Sequence, residues 1–153
     1  MCIRDRVDDL LLIHADATFY SSYGATIAEV NWAFRALLNA DDPAGWERLL
    51  DQFGERRAFS DDDPDGAARA AQMLADFGGR QIIHGHTPIS YVLRCFPEEV
   101  IEPLVYAGGL CVNVDAGMYL DGPGFVYRPA DGWVLHGTVT NPDAVARAND
   151  EPT

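Results

Sequence analysis

The chain has 153 residues, 48% of them hydrophobic, a size and apolar content that suit one domain with its own core. Against 24 acidic residues stand 11 basic ones, all arginine, and the net charge of −13 excludes nucleic-acid recognition through a basic groove. No run approaches the roughly 20 apolar residues of a membrane span, and Cys2, Cys95 and Cys111, lacking CxxC spacing, fit a reduced, cytoplasmic protein.

Residues 1–6 (MCIRDR) carry neither alternation nor a helical period and read as an artefactual leader outside the fold. Leu10 to Ile13 is a continuous apolar run ending at His14, the pattern of a strand covered on both faces. Thr26-Ile27-Ala28-Glu29 is a capping box. It predicts a helix with Ile27, Val30, Phe34, Leu37 and Leu38 on one face. Asp42-Pro43 opens a second helix, with Trp46, Leu49, Leu50 and Phe53 inward and Gly54 beyond its end. Asp63-Pro64 starts a third, whose Ala70, Met73, Leu74 and Phe77 face inward before Gly78-Gly79. Asp8-Asp9, Asp41-Asp42 and the cluster Asp61-Asp62-Asp63 with Asp65 read as solvated loops.

Strand character returns at Gln81 to Ile83. Short strands follow at Leu104 to Tyr106, Cys111 to Val114, Gly124 to Tyr127 and Trp133 to Val139, joined by glycine-rich turns. The polar, aperiodic residues 141–153 predict a disordered tail. Strand, three helices, strand, then antiparallel strands is the order of an α/β domain, with a helical segment followed by a sheet.

Three of the four histidines leave apolar strands: His14 directly, and His84 and His86 within "RQIIHGHTPI". Strand exits are where α/β sheets gather ligand and metal chemistry, and neutral imidazole is the commonest protein metal ligand. Asp115, in "VNVDAG", leaves its strand in the same way, with Gly117 free to turn the backbone. A single histidine at a strand end most often only satisfies a hydrogen bond, which is the reading for His136. His-Gly-His-Thr-Pro is a rarer string and points towards a metal site.

"IIHGHTPI" resembles the GHTP motif of calcineurin-like metallophosphoesterases, in particular the bacterial branch related to serine/threonine protein phosphatases. "LLLIHADAT" is similar to that family's penultimate metal motif, and "CVNVDAGMY" to its following strand and turn. The resemblance spans about residues 9–135 and implies part of a four-layer α/β/β/α sandwich. It implies that His14 and His86 ligate metal in a centre of two divalent ions, manganese, iron or zinc. His84, Asp115 and Asp16 would support or border that centre, Asp16 either as a hydrogen-bond partner of His14 or as a plain loop carboxylate. The family's Asp-x-His, Gly-Asp-x-x-Asp-Arg-Gly and Gly-Asn-His motifs do not occur, so residues 7–140 read as a C-terminal part of such a domain, inactive alone, and the catalytic residues are not assigned. The implied reaction is hydrolysis of a phosphate ester, on a small molecule or a phosphoprotein, by a metal-activated hydroxide. A non-catalytic binding or regulatory domain of the same fold is the alternative. A cupin-like His-x-His site fails on spacing, because the next acids, Glu98 and Glu99, lie too far along.

Overall fold

The computed structural model describes residues 4–137. Their strands are β1 (Arg4–Val7), β2 (Leu10–Ala15), β3 (Gln81–Gly85), β4 (Leu104–Tyr106), β5 (Cys111–Asn113), β6 (Phe125–Arg128) and β7 (Trp133–His136). Their α-helices are α1 (Ile27–Asn39), α2 (Pro43–Gln52), α3 (Gly66–Phe77) and α4 (Ile89–Leu93). The expected tail, residues 141–153, lies outside the described residues.

One sheet carries the order β1-β2-β3-β5-β4, and β6 and β7 form a separate hairpin. β2, β3 and β5 run parallel at its centre, with β1 and β4 antiparallel on the edges. β2 therefore has a neighbour on each side. Residues 4–7, which carry no period in the sequence, supply one of them through the register Val7 to Leu10 and Arg6 to Leu11. The fold is mixed α/β. Its described residues make a helical layer, a sheet and a hairpin, not the four layers expected.

Alternation along β2 and β3 explains the layering. Leu11, Ile13, Ala15 and Ile82 are buried on one face, against α1, α2 and α3. The opposite face presents Leu10, Leu12 and Ile83 towards Phe125 and Tyr127 of the hairpin. β2 also carries a bulge: Leu12 pairs with Ile83 but Ala15 with Gly85, so three steps of β2 span two of β3. The bulge falls at Ile13–His14, in the stretch of β2 that carries His14 to the end of the sheet.

The helix boundaries follow their caps. Thr26 Oγ1 accepts from Glu29 N at 3.2 Å and Glu29 Oε2 accepts from Thr26 N at 3.1 Å. Thr26→Ala should cost about 1 kcal/mol, read as a shift in the urea midpoint. No shift would mean that this helix start is held by packing alone. Asp42 caps α2 by accepting from Gly45 N, with Pro43 in the first turn. Inward packing of α2 is narrower than its sequence pattern: Leu49 is buried and Phe53 partly so, while Trp46 and Leu50 are exposed. Phe53 closes an aromatic cluster with Phe19, Phe34 and Tyr23, and that cluster underlies the site.

Candidate functional site

The C-terminal ends of β2, β3 and β5 deliver His14, His84, His86 and Asp115 to one edge of the sheet. His14 and His86, 72 positions apart, meet there with Nε2 and Nδ1 3.0 Å from each other. His86 Nε2 lies 3.2 Å from the Phe53 carbonyl, and the Phe53 ring stands edge-on to His14 at 5.1 Å between centroids.

This arrangement fixes the tautomers of the neutral pair. A carbonyl only accepts, so His86 Nε2 carries a proton and donates to Phe53 O. His86 Nδ1 is then a lone pair that accepts from His14 Nε2–H, and His14 Nδ1 is left unprotonated. Burial, and then the neighbouring His86, push the His14 pKa below the usual imidazole value, while Asp115 opposes them. His14 is thus a base that stays neutral at physiological pH.

His86 is held under strain. Its φ is +71°, and Thr87 N donates to Gly85 O at 2.9 Å across it, closing a three-residue γ-turn. A β-carbon disfavours that turn, by about 1–3 kcal/mol. Beside it, Asp115 Oδ1 accepts from Gly117 N, and Asn113 Oδ1 accepts from Asp115 N. Gly117, at φ +68°, makes the sharp turn that keeps the carboxylate at the strand end.

A second network lies deeper. His84 is buried, its Nδ1 3.2 Å from Gly85 O and its Nε2 2.5 Å from the Tyr106 hydroxyl. Tyr106 in turn lies 2.6 Å from Asp16 Oδ2, and Asp16 Oδ1 accepts from Phe59 N at 2.8 Å. A neutral His84 that donates from Nδ1 to Gly85 O has only a lone pair for Tyr106, whose one proton cannot then also reach Asp16, so the network is complete only with one further proton on Asp16 or His84. Burial raises the Asp16 pKa against the bonds from Tyr106 and Phe59, and burial lowers that of His84. Both shifts favour the uncharged arrangement.

These shifts predict a pH dependence. His14 and His84 bind protons more weakly folded than unfolded, so their contribution to stability is lost as pH falls below about 6.5. Asp16 works in the opposite sense, losing its contribution as pH rises above its ordinary value. Urea midpoints should be lower at pH 5 than at pH 7, and the difference should shrink in a His14→Asn, His84→Gln double variant. An unchanged difference would place the acid sensitivity in other groups.

A cavity of about 190 Å³ opens beside the deeper network, lined by Tyr106, Asp16, His84, Arg56, Leu93 and Leu104 among others. His14 and His86 do not line it. Asp115 joins the two regions: its N donates to Asn113 Oδ1 at 2.8 Å, and Asn113 lines the cavity.

No protein-family model and no curated protein matches the chain. Its fold is similar to that of a cold-active protein tyrosine phosphatase solved at 1.1 Å, with a TM-score of 0.57 and 18% identity. The similarity covers 87% of this chain and 41% of that one, so the chain spans about two-fifths of that protein's length. At this identity the likeness establishes a fold.

Two expectations are corrected. The resemblance to calcineurin-like metallophosphoesterases, carried by short strings around His14, His86 and Asp115, is not upheld: no family model matches, and the similar structure is a protein tyrosine phosphatase. The centre of two divalent ions, manganese, iron or zinc, is corrected too. Among the described residues no group of three or more His, Cys, Asp or Glu side chains could hold a metal ion. His14 and His86 direct ring nitrogens at each other instead of at a common point.

Asp16 is neither a partner of His14 nor a solvated carboxylate; it is 4% exposed and anchors Phe59 and Tyr106. His136 lies away from the site, its Nδ1 2.9 Å from Ile101 O. Tyr106, Arg56 and Arg57 were not legible as site residues. Tyr106 carried the same signal as the histidines, a polar side chain leaving a short strand, directly before Ala107-Gly108-Gly109.

Proposed function

We propose that the chain hydrolyses phosphate esters, with His14 as the general base. The carrying observation is the chain of contacts from Phe53 O through His86 to His14, which leaves His14 Nδ1 as the free lone pair. A water bonded to that nitrogen gives up its proton as its oxygen attacks phosphorus. The P–O bond to the alcohol breaks on the opposite side, and the departing oxygen takes a proton from solvent. The charge that develops on the imidazole pair is met by Asp115. His86 is the positioning residue, and its strained turn holds the ring against Phe53 O.

The fold likeness to a protein tyrosine phosphatase supports phosphate-ester chemistry. A phosphorylated substrate, small molecule or phosphoprotein, needs positive charge in a protein of net charge −13, and Arg56 and Arg57 stand at the cavity beside the site. Steady-state hydrolysis of p-nitrophenyl phosphate by the purified chain tests this. The expected result is turnover that His14→Asn lowers by about a hundredfold or more, and a wild-type rate equal to that of the heat-denatured protein would refute it.

A further inference from the structure

We propose that Asn113 is a positioning residue for the imidazole pair: its side-chain amide ties the exit of β3 to the exit of β5 and so fixes the strained turn at His86. The proposal rests on the base assigned to His14, because it names what keeps that base in place.

Asn113 is the last residue of β5, paired with His84 of β3 and Leu104 of β4, and it is 1% exposed. Its amide serves two backbone groups at once. Nδ2 donates to Thr87 O at 2.8 Å, and Oδ1 accepts from Asp115 N at 2.8 Å. A backbone carbonyl only accepts and a backbone N–H only donates, so the amide fits in one orientation. Burial strips an amide of its bonds to water, and these two bonds replace them.

Both bonds land where the site is built. Thr87 directly follows His86, and its N–H closes the γ-turn across that residue. Thr87 Oγ1 is buried and bonds to no other described group, so the threonine side chain gives the turn no anchor. Its carbonyl does, through Asn113. Two backbone bonds join the same pair of strand exits before and after this stretch, Val114 N to His84 O and Ile89 N to Asp115 O. Between them the cross-link runs through Asn113 Nδ2.

His86, at φ +71°, keeps a disfavoured conformation only as long as its surroundings over-determine it. With the Thr87 carbonyl released, the turn opens and the His86 ring leaves Phe53 O. His86 Nδ1 then no longer takes the proton of His14 Nε2, and the His14 tautomer is free to change.

Two readouts on the full chain test this, with Asn113→Leu, which keeps much of the volume and removes both bonds, and Asn113→Ser as a smaller second variant. In long-range proton–nitrogen spectra at pH 8, the His14 Nδ1 and Nε2 signals should move towards each other as the two tautomers average. For p-nitrophenyl phosphate, kcat should fall about tenfold or more with KM nearly unchanged. Thr26→Ala, which weakens the fold far from the site, should leave the imidazole signals and kcat as in the wild type. Imidazole signals unmoved in both Asn113 variants would overturn the proposal, and so would equal changes in Thr26→Ala. Moved signals in a protein whose wild type shows no turnover would uphold the clamp and sink the hydrolysis.

Discussion

His14→Asn is expected to lower kcat for phosphate-ester hydrolysis by about 10²- to 10⁴-fold, the usual contribution of a positioned general base. Asparagine has no nitrogen lone pair to take a proton, whereas His14 Nδ1 is the end of a fixed chain of donors and acceptors. KM should change little, because the variant keeps Arg56 and the cavity. The wild-type rate should fall on the acid side only below the ordinary imidazole range, since burial and His86 hold the His14 pKa down. In the variant this ionisation should vanish from the profile. A loss of fivefold or less would show that another group accepts the proton.

Phe34→Ala is expected to cost about 3–5 kcal/mol of folding stability, as for other buried phenylalanines. Phe34 is fully buried, 4.8 Å between centroids from Tyr23 and 6.4 Å from Phe19, Tyr20 and Phe53. The cavity left behind also loosens Phe53, whose carbonyl orients His86 and whose ring backs His14. The variant should therefore lose activity beyond its folded fraction, measured on protein shown by circular dichroism to be folded. Urea unfolding gives the stability change. A cost under about 1 kcal/mol would mean that the aromatic cluster repacks around the gap.

Local chemistry made much of the fold readable. The capping box at Thr26, the Asp42-Pro43 start and the apolar runs at Leu10 to Ile13 and Gln81 to Ile83 each act over a few residues, and the helix starts and strands appear where expected. The strand-exit argument singled out His14, His84, His86 and Asp115, and these do share one edge of the sheet. What periodicity cannot give is the partner. Asp16 and Tyr106 are 90 positions apart, and only the order of the strands brings them together. The register shift of β2 against β3 and the γ-turn at His86 lie at the two imidazoles, and neither leaves a mark in composition or spacing. A string such as His-Gly-His-Thr-Pro fixes a turn, and the chemistry at that turn depends on the side chains that arrive from elsewhere.

Everything proposed for His14 depends on one lone pair. A long-range proton–nitrogen correlation spectrum of the imidazoles, with the ¹⁵N-labelled chain at pH 7, reads it directly. His14 is predicted to carry its proton on Nε2, with Nδ1 resonating as an unprotonated, pyridine-like nitrogen, and His86 likewise to carry its proton on Nε2. A proton found on His14 Nδ1 would contradict the arrangement and remove the proposed base.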